Sequence, residues 1–182
     1  MTPNLQGPAP HGSMCDALLA RGPSPDLSTD NNLFGWLVGS WDVEVHDFES
    51  DGARRVTNGE WHFAWVLEGR AIQDVFVTPK RDERSLGPMR TNRYGTTLRI
   101  FDAASGLWRL VWINPVRNDV DMLTTRRNDG DIVQEGVDVN GTRFRWVFSD
   151  IRSDSFTFCA EEARENGADW KKLAEFKAER KS

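Results

Sequence analysis

Tyr94, Asp74 and His62 are the side chains of this sequence whose chemistry and setting suit proton transfer. Tyr94 is the sole phenol, Asp74 stands between Ile72 and Phe76 at strand spacing, and His62 alternates with Trp61 and Phe63. Imidazole titrates near neutrality, so a His62 facing an apolar cavity would act as general acid, base or orienting group. Facing water, it would do none of this. Alternation alone leaves both faces open: either Trp61/Phe63/Trp65/Leu67 or Glu60/His62/Ala64/Val66 looks inward. His46 shares a face with Asp42 and Glu44 and reads as solvent-facing.

A second set suits binding rather than catalysis. Trp65, Trp112, Met122 and Phe144 offer apolar wall, while Asn114, Gln134 and Arg145 sit among aromatic strands as sparse polar contacts. Few oriented polar groups in an apolar lining is the general anatomy of a small-molecule site. The simpler reading of each polar residue is solvent exposure or a cross-strand pair. An inward Arg145 would require an acidic ligand or an internal carboxylate such as Asp74 or Glu135.

Several chemistries are excluded. The chain has 23 Lys and Arg against 28 Asp and Glu, a net charge of −5, which argues against nucleic-acid binding. Cys15 and Cys159 form neither a disulfide framework nor a zinc site, and Cys159 reads as a small buried hydrophobe. The three histidines are scattered, so no metal set is expected, and no phosphate loop or nucleophile elbow is present to imply a cofactor or hydrolase. No apolar run approaches the roughly 20 residues of a membrane helix, and no secretory signal is visible; a soluble cytoplasmic protein is expected.

These side chains need a frame to converge. Residues 1–32 carry five of the eight prolines and read as a mostly extended or mobile segment, with two helical turns over 14–21. Residues 33–38, after Asp30-Asn31-Asn32, read as a short helix ending at Gly39. From Trp41 the period becomes two, and about ten strands follow, joined by short turns, with 79–92 the one long loop. Asn140-Gly141 reads as a type I′ hairpin. Short turns exclude parallel pairing, and a meander this long avoids costly edges by closing on itself. The expectation is an all-β, roughly ten-stranded antiparallel up-and-down barrel over 33–182, with short N-terminal helical segments.

Gly39-Ser40-Trp41 before the first strand, the meander, and the late segment Gly167-x-x-Trp170 through Arg180 resemble the lipocalin-like (calycin) superfamily, closest to bacterial members of undefined function. The resemblance implies that Arg180 packs across Trp41, and that a small apolar or amphipathic molecule sits in the barrel. It also brings haem-binding nitrobindins into view, but their late histidine has no counterpart after His62. Three readings follow. The first is a carrier of a small hydrophobic molecule, with 14–38 and 79–92 near the mouth. The second is a cofactor-independent cyclase or isomerase using Tyr94, Asp74 and His62. The third is a filled barrel whose edges or wall make a homodimer.

Overall fold

The computed structural model describes residues 12–84, 92–164 and 169–181. Ten strands form one closed barrel: β1 (Gly39–Phe48), β2 (Arg54–Val66), β3 (Ala71–Thr78), β4 (Arg93–Asp102), β5 (Leu107–Asn114), β6 (Asp119–Asn128), β7 (Asp131–Val137), β8 (Arg143–Ser149), β9 (Ser155–Ala163) and β10 (Trp170–Arg180). Each strand pairs antiparallel with its sequence neighbours, and β1 closes on β10 from Trp41↔Arg180 to Asp47↔Ala174. The expected turn at 165–168 and the 85–91 part of the long loop lie outside the described residues.

Alternation sets the faces. In β2, Trp61, Phe63 and Trp65 point inward and are buried, which turns Glu60, His62 and Ala64 to the outside. Two local expectations differ from the structure. The Asp138–Thr142 connection is not type I′: only Gly141 has positive φ (82°), and the Asp138 carboxylate accepts the amides of Asn140 and Thr142, both at 2.8 Å. A three-residue loop with one left-handed glycine results. The pair of positive φ values that a type I′ turn needs falls instead on Asp129 (47°) and Gly130 (93°), between β6 and β7.

The N-terminal segment is the second difference. A five-residue helix, α1 (Met14–Leu18), is capped by Ser13 with Asp16, and 33–38 contributes only a 3-10 turn over Gly35–Leu37. Six residues are too few to repay helix nucleation. The segment packs instead: Leu33, Phe34 and Leu37 are buried, and Phe34 meets Trp108 edge-on at 5.2 Å. The segment lies at the end of the barrel holding the β2–β3 turn, where Leu19 bridges Val66 and the Ser24 amide donates to Gly69. Residues 14–38 therefore close the end opposite the mouth rather than flank it. Arg180 locks this plug. Its guanidinium lies 4.1 Å from the Trp41 ring centre and donates to the carbonyls of Trp36 (2.7 Å), Val38 (2.9 Å) and Ser153 (2.9 Å).

Candidate functional site

Above this sealed core the barrel stays hollow, enclosing about 600 Å³. The cavity opens at the end of the barrel where β1, β3, β5, β7 and β9 finish. Its wall is a run of touching rings. Trp112 meets Trp146 edge-on at 6.2 Å, Trp146 meets Phe158 at 6.2 Å, Phe158 stacks on Phe176 at 5.0 Å, Phe176 on Phe76 at 5.1 Å, and Phe76 meets Trp61 at 5.0 Å. Phe144 joins at Trp146, 5.9 Å away. Two glycines seat these rings. A Cβ on Gly95 would fall 2.5 Å from the Trp112 ring, and one on Gly136 would fall 2.7 Å from Phe144. Small side chains at Ala160 and Ala174, cross-strand partners beside Trp146 and Phe176, preserve the volume.

Polar groups occupy the floor and the rim. At the floor Arg99 and Asp74, both almost wholly buried, form an ion pair; Asp74 also accepts the Thr97 amide at 3.2 Å. The Arg99 guanidinium lies over Phe34 (5.4 Å) and Phe63 (5.5 Å). At the rim Asp47 takes Arg93 at 2.5 Å and Arg55 at 2.6 Å, Arg93 lies 5.7 Å from the Phe176 ring, and Arg117 reaches Asp119 at 3.4 Å. Every cation among the described lining residues thus has a carboxylate. Asp121 faces inward beside its cross-strand partner Trp112 and has no hydrogen-bond or ion-pair partner among the described residues. Burial, then the charges of Asp119 and Asp138, push its carboxyl above the ordinary carboxylate range.

The anticipated site residues divide by face. Trp112, Asn114 and Phe144 line the cavity. Gln134 points inward but lies deeper, fully buried, and Trp65 belongs to the sealed core at the plugged end. Asp74 is inward yet tied to Arg99. Met122, Arg145, Tyr94 and His62 point outward and do not reach the cavity. Met122 is 74% exposed because it pairs with outward Val111, which puts Asp121 inside. Arg145 donates to Glu161 at 2.6 Å and lies over Trp170, so the inward arginine that would require an acidic ligand is absent from this position. Tyr94 stacks under Arg84 on the outer wall. His62 bridges Ser40 Oγ (2.9 Å) and Glu60 (3.0 Å), also outside. There Arg81 grips Glu60 at 2.6 and 3.0 Å and holds its carboxyl down to about 2. Sequence reasoning missed Asp121, Arg99 and Arg93. The visible signal was phase: Asp119, Asp121, Leu123 and Thr125 repeat in step with the Trp108–Asn114 face across one short turn.

No family model matches this chain, and no curated protein matches it. Among solved structures, the S-type phycobiliprotein lyase CPES from Guillardia theta superposes with a TM-score of 0.57 at 11% identity, covering 85% of this chain and 94% of that one. At such identity the likeness is one of fold. No helix among the described residues is long and apolar enough to cross a membrane, and no group of three or more metal-ligating side chains occurs among them.

Proposed function

We propose that the protein is a calycin-type barrel that binds one small, largely apolar molecule with its body against the Trp112–Trp146–Phe158–Phe176 rings. The single observation that carries this is the cavity of about 600 Å³, which falls among the volumes of small-molecule sites and is plugged at one end only. Trp41 under Arg180 supports the calycin assignment, as does the neighbour's fold. The charge pattern narrows the ligand. Each lining arginine is already paired and Asp121 is not, so the end of the ligand left at the mouth is neutral or cationic. An anionic head there would face Asp121 with no free cation among the described lining residues to offset its desolvation.

Titration with 1-aminoanthracene, read by quenching of tryptophan emission, tests this. Saturable one-to-one quenching is expected, and Ala160→Phe, which pushes a ring into the cavity beside Trp146, should weaken it at least about tenfold (about 1.4 kcal/mol) without changing the circular dichroism. Quenching that never saturates, or that ignores Ala160→Phe, overturns the reading.

One observation favours a second reading, an isomerase or cyclase. Asp121 is an unpaired carboxyl of raised pKa facing an aromatic cavity, a group placed to take up or deliver a proton there. The discriminating experiment is Asp121→Asn with a substrate in hand: lost turnover with retained binding supports the enzyme, and unchanged turnover removes it.

A further inference from the structure

The barrel treats its indole nitrogens unequally. At the plugged end, Trp41 Nε1 donates to the Leu37 carbonyl at 2.8 Å and Trp108 Nε1 to the Asn31 carbonyl at 2.9 Å. At the cavity, Trp61 is just as buried, 3% exposed, and its Nε1 has no partner. It is not alone. Arg99 Nε, Thr125 Oγ1 and both amide atoms of Gln134 are also buried without partners, on side chains at most 3% exposed. Trp61 and Arg99 belong to the cavity lining and flank the same Phe63 ring, at 5.0 and 5.5 Å. Thr125 and Gln134 are cross-strand partners, and Gln134 pairs on its other side with Trp146, a wall residue. A buried donor or acceptor left unpaired bears its full desolvation penalty, and folded proteins leave few of them. Two of these side chains, Trp61 and Arg99, line the cavity, and Thr125 and Gln134 lie deeper, next to its Trp146 wall; together they mark a place where a partner belongs.

We infer that this inner ring is the polar subsite of the ligand, and that the ligand enters with an uncharged oxygen, a carbonyl or hydroxyl, leading. The inference rests on the carrier reading above. The two groups at the lining, Trp61 Nε1–H and Arg99 Nε–H, are donors only, so the leading atom must accept; a carbonyl oxygen can accept both. It carries no charge, because Asp74 already neutralises Arg99 and a carboxylate would enter with no cation to offset it. The site thereby selects for an oxygen at that end: the analogue without it leaves the ring unpaired, which is how a polar subsite in an apolar pocket discriminates.

The test is an isosteric pair, 2-acetylnaphthalene and 2-isopropenylnaphthalene, which differ by O against CH₂. Dissociation constants are measured on the full chain by tryptophan quenching and corrected for each compound's water–cyclohexane partition. On the wild-type protein the corrected affinity of the ketone should exceed that of the alkene about tenfold, equal to about 1.4 kcal/mol. Trp61→Phe and Gln134→Met each remove a donor while keeping apolar bulk, and at least one should bring the ratio within about twofold while leaving the alkene within about threefold. Thermal melts establish that each variant is folded, and either one suffices. A wild-type ratio near one, as expected if internal waters permanently occupy the ring, overturns the inference and spares the carrier reading. A ketone preference that survives both substitutions also overturns it. Failure of both probes to bind the wild-type protein overturns the carrier reading, and the subsite falls with it.

Discussion

The Asp74–Arg99 pair should be the most sensitive point of the barrel floor. Both side chains are at most 1% exposed, and only Asp74 offsets the Arg99 charge in the interior. Removing one member strands the other's charge out of water, at a cost of about 3–5 kcal/mol. That is a large share of the 5–15 kcal/mol typical of a domain. At roughly 2–4 °C per kcal/mol for a chain of this size, Asp74→Leu or Arg99→Met alone should lower Tm by about 6–20 °C. The double variant behaves differently, since apolar residues of similar volume can replace a buried pair at little cost. The one group it strands is the Thr97 amide, which donates to Asp74, worth about 1–3 kcal/mol. The double variant should therefore lie within about 2 kcal/mol of wild type, far above the sum of the singles. Urea denaturation followed by tryptophan emission and by circular dichroism measures all four proteins. Single variants costing under about 1 kcal/mol, or a double variant as unstable as the sum, would refute the reasoning.

Arg180→Ala removes three hydrogen bonds to carbonyls and the contact over Trp41, and should cost about 2–4 kcal/mol in urea denaturation; Arg180→Lys should recover less than half, because an ammonium cannot span Trp36, Val38 and Ser153. Glu60, held at about 2 in the fold against an ordinary 4.5, stabilises the protein fully above pH 4.5 and loses that contribution as pH falls toward 2. With Arg81 on the solvent side, about 1–2 kcal/mol is at stake, and Glu60→Gln should flatten acid denaturation over that window. Asp121 has the opposite sign: its folded pKa is raised, so stability declines as pH rises past the ordinary carboxylate value of 3.8. Asp121→Asn should melt higher than wild type at pH 7, with the difference vanishing in acid; an equal gain at every pH would contradict this.

The ten strands were legible because each alternates strongly and ends at a turn, whereas Arg180 over Trp41 was implied by the lipocalin-like resemblance. The lining was not legible, because near the mouth the rule of apolar-in, polar-out reverses. On β6 the exposed outer positions hold Val120 and Met122, while Asp119 and Asp121 face the cavity. Hydrophobicity therefore selected Met122, and only register, which pairs Met122 with Val111 and Asp121 with Trp112, corrects it. His62 and Tyr94 failed for a related reason: β2 turns Trp61 and Phe63 inward and β4 turns Gly95 and Thr97 inward, so His62 and Tyr94 take the other face. Trp112, Asn114 and Phe144 were found because there the aromatic residues and the inner face coincide. The placement of 14–38 at the plugged end depends on contacts of Phe34 with Trp108 and of Leu19 with Val66, which join segments far apart in the chain.

The central claim is that the barrel holds a small molecule. Native mass spectrometry of the protein isolated from the cells that make it addresses that claim with no prior choice of ligand. The account predicts, beside the apo mass, a one-to-one adduct of a few hundred daltons that disappears in Ala160→Phe and carries at least one oxygen. A single apo mass under conditions that preserve the fold, or an adduct that Ala160→Phe retains in full, would contradict it.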